Sequence, residues 1–512
     1  MKFKTYITPS GEELFYTGTP NVNLLDQLAN GLGDIWHSSF EQGYKNAFPE
    51  IVYQTAVFFW YGNDFDNLDE CVSWRLNPNN FVVRKSVWEA LNGFDTDFEN
   101  LQMQALDFAY NALRNNGAIP LYIKRLYSSE EKENVKISTK DRYVFYKKNF
   151  KLSHSYFMLF RQGIWRLKEW QAFRYANKNF KFRKPIAPVP TRTLNAIEGN
   201  PTVSYIIPTM LRQDFTLNLL EDLKNQTFKV SQVVVVDATP EDKRDESLYN
   251  PNDYPFEVIF KWQTTKGSCR ARNEAIDLCT GDYIVFGDDD IRIPPNFIEN
   301  HIKLLQTYNA GACNGLDIRA DNQSQTLDDL KIKLEQLDAN IFKVGATQSF
   351  SNANSCVKRD YVSKLVGNDI NYDGGYGEDS DFGISLTKIG ATVLFNPFST
   401  NLHLKPPQGG YRFWGSQAKI TGKKRKTQPW ELDTPVKWIR PVPSPTIMYQ
   451  LYKHSTKKQR KEYKYIYFLR FLFMGNKVLL PLKILKLPYR LMQFKKSEFY
   501  AKKLNALGKR TK

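Results

Sequence analysis

"DYIVFGDDDIRIPPNF" (residues 282–297) places Asp288, Asp289 and Asp290 side by side behind an apolar, strand-like run, with two prolines just beyond. Two readings are open for three adjacent like charges. They form a solvated turn, or they hold a hard divalent cation, which takes carboxylate oxygens and leaves positions for water and phosphate. The apolar run in front of them favours the cation, because a strand that ends in acids sets those acids at a sheet edge.

The same alternation extends outward from this stretch. "VSYIIP" (203–208) has the pattern of a buried strand, and "DFTLNLLEDLKNQ" (214–226) has helical apolar spacing. "QVVVVDATP" (232–240) is a β-branched run ending in Asp237 and a turn. "FEVIFKW" (256–262) predicts a strand, "GSCRARNEAIDLC" (267–279) a helix, and "PPNFIENHIKLLQ" (294–306) a helix with prolines where a missing N–H costs nothing. Strands alternating with helices of 10–15 residues predict an α/β domain, a mixed and mostly parallel sheet with flanking helices. Such sheets bind ligands beyond the carboxyl ends of their strands, where Asp237 and Asp288–Asp290 fall.

Three further stretches carry chemistry. In "YGEDSDFG" (376–383), Glu378 and Asp379 stand near a helix start, where a carboxylate is favoured by the helix dipole as a cap or can accept a proton from an attacking hydroxyl. "TTKGSCRARNEA" (264–275) offers Arg270 and Arg272 to phosphate oxygens and Asn273 to hold the turn; surface arginines are the ordinary alternative. His403, in "NLHLKPPQGGYR", follows the last strand pattern and either packs as an ordinary side chain or completes a metal shell.

Taken in order, "SYIIPTMLR", "VVVVDATP", "GSCRARNEAIDLCTGDYIVFGDDDIRIPPNFIENHI" and "GEDSDFGISLTKIGATVLFNP" resemble a family 2 glycosyltransferase of GT-A (Rossmann-like) fold over residues 200–405. The resemblance implies an inverting, metal-dependent enzyme of hexosyltransferase type, with Mn²⁺ or Mg²⁺ and a nucleotide-sugar donor, a UDP-sugar first. It implies Pro208 and Thr209 lining the nucleotide pocket and Asp237 at its base. Asp288 and Asp290 become the metal pair, with Asp290 the direct ligand, and Asp289 lies beside them in the donor site. Asp379 becomes the general base with Glu378 next to it, and His403 matches a C-terminal metal-site histidine. The Gln/Arg-x-x-Arg-Trp motif of processive relatives is missing, which implies single additions.

Composition bounds the rest. The chain has 512 residues, enough for two or three domains, and 42% hydrophobic residues. Its five cysteines are scattered, without metal spacing, and predict reduced thiols. The N-terminus lacks the apolar stretch of a signal peptide. Of the formal net charge of +17, a local +16 falls between Lys453 and Lys512, where 18 Lys and Arg face only Glu462 and Glu498. Arg470, Lys477, Lys483, Lys486 and Arg490 interrupt every apolar run there, so the tail suits the interface of an anionic membrane, not a span and not nucleic acid.

The expected organisation has four parts: an N-terminal α/β domain (1–135), an aromatic, basic helical segment with a proline-rich linker (136–200), the catalytic GT-A domain (201–440) and a basic amphipathic helical tail (441–512). Residues 79–122 can be laid on 354–395, with Arg84 on Arg359, Asp107-Phe108 on Asp381-Phe382 and Gly117 on Gly390, while Gln104 and Ala105 replace Glu378 and Asp379. Either the N-terminal domain is a degenerate partial GT-A repeat, or two amphipathic helices coincide. The function expected is sugar transfer to a glycan or lipid-linked acceptor in surface polysaccharide or glycolipid synthesis, at the cytoplasmic face of the plasma membrane. The alternatives are a nucleotidyltransferase and a non-catalytic carbohydrate- or nucleic-acid-binding protein.

Overall fold

The computed structural model describes residues 2–52, 61–65, 67–128, 132–184, 186–263, 265, 267–407, 409–411 and 438–512. Thr264, Lys266, Gln408 and Arg412, quoted above, lie outside them, as do 413–437 of the expected catalytic domain. The chain forms two compact units: Met1–Thr193 with Lys343–Thr347 and Lys457–Ile466, and Leu194–Phe342 with Gln348–Thr456 and Tyr467–Lys512. The basic tail is therefore not a separate body, since most of it belongs to the second unit.

In the N-terminal unit the strands are β1 (Lys4–Ile7), β2 (Glu13–Tyr16), β3 (Ile35–His37), β4 (Glu70–Val72), β5 (Phe81–Arg84) and β6 (Pro120–Ile123), in sheet order β1-β2-β5-β3-β6-β4. β3 and β6 are parallel, and the other neighbours are antiparallel. Helices α1 (Lys85–Ala90) and α2 (Leu101–Asn111) connect β5 to β6. Trp36, Trp74 and Tyr110 are buried in the core. Arg84 is fixed by Asp34 at 3.2 Å and by Glu12, and buried Asp107 by Arg183 at 2.6 Å.

The second unit is built on β7 (Val203–Thr209), β8 (Gln232–Asp237), β9 (Glu257–Trp262), β10 (Tyr283–Phe286), β11 (Ile291–Arg292), β12 (Ala312–Arg319), β13 (Ser355–Lys358) and β14 (Val393–His403). Their order is β11-β14-β12-β13-β10-β7-β8-β9. β7 and β8 are buried along their whole length, as their apolar runs require for strands covered on both faces. Helices α3 (Gln213–Lys224), α4 (Ser268–Asp277), α5 (Phe297–Thr307), α6 (Arg359–Leu365) and α7 (Glu378–Lys388) alternate with the strands.

β10, β7, β8 and β9 run parallel, and the chain leaves β7 toward β8 on one side and reaches β10 on the other. That reversal makes the carboxyl ends of β7 and β10 a switch point, the place where open α/β sheets leave a crevice. Local chemistry opens it. The β7–β10 ladder ends at Ile206 opposite Phe286, and Pro208, which has no N–H to donate, follows. Gly287 is required at the exit, because a Cβ there would stand 2.1 Å from the Tyr205 hydroxyl oxygen.

Both units share one sub-topology. β2-β5-β3-β6 and β10-β13-β12-β14 have the same chain order and the same parallel or antiparallel sense at each step, whereas the next strand differs in connection: β4 follows β3 in the chain and β11 precedes β12. In both, two helices join the second strand of the series to the fourth.

Candidate active site

Asp288 and Asp290 leave β10 at the switch point, and His403 closes β14. Ligand atoms of these three side chains lie within 4.8 Å of one another. Asp290 is buried, with Oδ1 3.2 Å from His403 Nε2. On its far side the imidazole contacts Asp317 of β12, Nδ1 to Oδ1 at 3.0 Å. Asn401 Nδ2 donates to the same Asp317 oxygen at 2.8 Å and Arg319 holds the other at 3.0 Å. Burial alone would lower the His403 pKa, but hydrogen bonds and charges from Asp290 and Asp317 lift it to about 10. Burial would likewise raise Asp290, yet His403 and Arg212 hold it below the ordinary carboxylate range.

The donor set passes a chemical test as a metal site. Two carboxylates and one imidazole suit a divalent ion of intermediate hardness. A carboxylate on the far nitrogen is the arrangement that fixes a metal-binding imidazole's tautomer and ring orientation. In the metal-free state both ring nitrogens carry protons, Nδ1 toward Asp317 and Nε2 toward Asp290; a metal ion would displace the Nε2 proton while Nδ1 stays on Asp317.

Arginines neutralise the cluster. Arg212, at the start of α3, donates from Nη1 to Asp289 at 3.1 Å and to Asp290 at 2.9 Å. Arg272, buried on α4, donates to Asp288 at 2.6 Å and also feels the charges of Asp379 and Glu378. That shared field brings the start of α7 to the same crevice. Gly377, in a left-handed conformation at φ 105°, lets the chain turn into α7 there. Glu378 is buried, Asp379 is half-buried, and Asn352 Nδ2 donates to Asp379 Oδ1.

Residues 204–365 match the family model for glycosyl transferase family 2. That segment resembles glycosyl transferase family 2. It shares 28% identity over 102 residues with the putative colanic acid biosynthesis glycosyl transferase WcaA of Escherichia coli K12, covering 20% of this chain and 36% of that protein. It shares 29% over 108 residues with the putative glycosyltransferase EpsH of Bacillus subtilis, covering 20% and 30%. A further relative, glycosyltransferase GlyA of Streptococcus pneumoniae, is 24% identical over 113 residues, 22% of this chain and 16% of that protein. The chain thus spans between 16% and 36% of the length of these curated relatives. Among solved structures, mannosyltransferase PcManGT of Pyrobaculum calidifontis, in complex with GDP-Man and Mn²⁺, aligns with a TM-score of 0.35 and 18% identity, over 62% of this chain and 89% of that one.

Within the family 2 segment and its continuation, Asp288, Asp290, His403, Arg272, Glu378 and Asp379 come together, and other expected site residues do not face the crevice. Asp289 is buried and turned inward, accepting from Thr209 Oγ1 at 2.7 Å and from Arg212, so it braces the end of β7 instead of meeting a donor. Burial pushes its carboxyl upward against the pull of Arg212. Thr209 is fully buried, its hydroxyl on Asp289 and its carbonyl on the Tyr411 hydroxyl at 3.0 Å, and Pro208 pairs inside the sheet with Val236. Asp237 is fully buried and shapes the turn after β8, accepting from Thr239 N at 2.7 Å and Tyr249 Oη at 3.3 Å.

Two further expected donor residues bond elsewhere among the described residues. Arg270 points to Asp373, 2.8 Å away, whose other oxygen caps α4 at Cys269 N; it is on the opposite side of the helix turn from Arg272. Asn273 bonds only backbone: the carbonyls of Asn368 and Thr511 at 2.9 and 2.8 Å, and the Asn368 amide at 2.6 Å. Sequence reasoning missed Arg212, Asp317 and Asn352. Arg212 stands directly after a strand end and was findable; Asp317 and Asn352 have no local signal.

Proposed function

We propose that the second unit transfers a hexosyl group, with inversion, from a nucleotide sugar to a hydroxyl of a glycan or lipid-linked acceptor in surface polysaccharide or glycolipid synthesis. The observation that carries this reading is the Asp288, Asp290 and His403 cluster at the switch point, backed by Asp317, with Asp379 in the field of the same Arg272. A divalent cation held there supplies counter-charge for the departing diphosphate. The imidazole ligand favours Mn²⁺ over Mg²⁺, which prefers oxygen donors only.

The chain's own residues do the remainder. Arg272 and Arg212 stand where negative charge builds on the leaving group, and their pairing with the aspartates keeps them oriented beforehand. Asp379 accepts the proton of the acceptor hydroxyl, whose oxygen attacks the anomeric carbon opposite the leaving diphosphate. Asn352 orients the carboxylate. GDP-Man in one structural neighbour and UDP-GlcNAc in another, Staphylococcus aureus TarS, support a nucleotide-sugar donor. No helix among the described residues is long and apolar enough to cross a membrane. Apolar side chains exposed between Phe473 and Met492 amid basic residues support docking on the anionic cytoplasmic face of the plasma membrane.

A screen of UDP-, GDP- and dTDP-sugars for Mn²⁺-dependent donor hydrolysis tests the enzyme reading. Asp290→Asn should abolish the metal dependence of nucleotide binding, and Asp379→Asn should slow transfer ~10²–10⁴-fold without weakening donor binding. Nucleotide binding indifferent to Mn²⁺ and to Asp290 sinks the metal assignment; an unchanged rate in Asp379→Asn removes it as the base.

A further inference from the structure

The N-terminal unit has a cleft of about 520 Å³ at the carboxyl ends of its two parallel strands. The walls are the segment after β3, carrying Glu41, the segment after β6, carrying Lys124, Arg125, Tyr127 and Ser128, and the approach to the unit's first helical turn at Asn21. In the sub-topology shared by both units this is the edge that carries Asp317 and His403 in the second unit, where β12 and β14 take the places of β3 and β6. Open α/β sheets place ligands at such ends. Among the described residues nothing of the metal cluster is reproduced here, which leaves the edge to a different occupant.

Three observations separate this cleft from an ordinary groove. Its floor is rigid: Ser38 Oγ donates to Ile123 O at 2.6 Å and accepts from Tyr127 N at 3.0 Å, Asn21 N donates to Leu126 O at 2.7 Å, and Pro20 bridges to Tyr127. Glu41 uses Oε1 on the Tyr122 hydroxyl, while its Oε2 is buried and meets no hydrogen-bond partner among the described residues. A buried carboxylate oxygen without a donor is costly unless something supplies one. Arg125, third residue of the turn closed by Leu126 N to Ile123 O, is held at φ 66°, where glycine or asparagine is ordinary. An arginine kept in that conformation points to a role for its side chain, and its guanidinium is exposed and makes no hydrogen bond among the described residues.

We propose that this cleft binds an anionic saccharide. Arg125 takes a carboxylate or phosphate on the sugar, while Lys124 beside it is held by Asp69 at 2.6 Å, and Glu41, Asn21 and Ser128 take the sugar's hydroxyls. The volume suits a mono- or disaccharide. A sugar hydroxyl supplies the donor that Glu41 lacks, and a guanidinium pairs with either anion in a two-point fashion. The saccharide part of this assignment rests on the glycosyltransferase reading; the anion part rests on Arg125 alone. The N-terminal unit thereby holds the acceptor chain while the second unit does the chemistry.

Ligand-observed saturation-transfer NMR on the full chain tests it directly, with glucuronic acid, glucose 6-phosphate, glucose and inorganic phosphate as probes and saturating UDP with Mn²⁺ present. Glucuronic acid or glucose 6-phosphate should bind at least tenfold more tightly than glucose, and whichever binds names the anion. Arg125→Asn keeps a residue suited to φ 66°, so it should weaken anion binding tenfold or more in a folded chain. Asp290→Asn should leave it unchanged. Glucose binding as well as its anionic counterparts, phosphate alone binding as well as glucose 6-phosphate, or retention of binding in Arg125→Asn overturns the proposal. Because no step depends on transfer, a chain inactive on every donor would defeat the enzyme reading and leave this readout intact.

Discussion

At the scale of single residues, the site turns on what holds His403. A lone histidine after a strand says little; one whose Nδ1 is fixed on Asp317 while Nε2 faces Asp290 is oriented for a ligand. Outer-shell carboxylates of this kind typically change metal affinity 10–100-fold when replaced. Asp317→Asn should therefore weaken Mn²⁺ binding by about that factor, read by calorimetry or by Mn²⁺ electron paramagnetic resonance, with the melting temperature little changed because the isosteric amide oxygen still accepts from buried Asn401 and Arg319 is exposed. Mn²⁺ affinity equal to that of the unaltered chain would show that His403 needs no such support and would weaken its assignment as a ligand. Asp289 illustrates the opposite outcome: three identical residues in a row divide into two that share a cluster and one that braces Thr209.

At the scale of elements, the alternating strands and helices of 203–307 were legible because long β-branched runs, helical spacing and prolines at a helix start are local signals. The strand at 283–286 coincides with its apolar run, and Gly287 N makes the last bond to β7, at Ile206 O. What was not legible is lateral: that β12 and β14 lie side by side and so bring Asp317 to His403 is a property of sheet order, which no local pattern encodes. The same holds for α4, whose two arginines look equivalent in sequence although a difference of about half a turn in facing sends Arg270 to Asp373 and Arg272 to Asp288. Gly287 connects the two kinds of information. Its replacement by alanine would press a methyl group onto the buried Tyr205 ring, forcing β7 and β10 apart at the switch point. Overpacking of this sort costs ~1–3 kcal/mol. Gly287→Ala should lower the melting temperature and weaken Mn²⁺ binding together, and a variant with wild-type values for both would show that the β10 exit tolerates a side chain.

At the scale of the molecule, the basic tail does two different things. Helix α8 (Pro445–His454) brings Lys453 to Asp369 and Asp381 at 2.8 and 2.9 Å and His454 to Asp381 at 2.7 Å, and Arg510 reaches Asn371 at 2.8 Å. These contacts neutralise buried carboxylates at the base of α7, so a chain ending at residue 440 would lose part of the second unit's core and not merely an anchor. Asp107 of the N-terminal unit is neutralised in the same way by Arg183. By contrast, Val478, Leu482 and Leu485 are exposed, Val478 at 82%, among Lys477, Lys483, Lys486 and Arg490. The two roles are separable by mutation. Lys453→Met leaves two buried carboxylates short of charge and should cost ~3–5 kcal/mol in unfolding while leaving liposome flotation unchanged. Leu482→Glu with Leu485→Glu alters only exposed positions, so the melting temperature should hold while flotation with phosphatidylglycerol vesicles is lost, since each substitution removes apolar contact and repels the anionic surface. Flotation of that double variant as strong as the parent chain's would mean that the exposed apolar stretch between Phe473 and Met492 is not what meets the membrane.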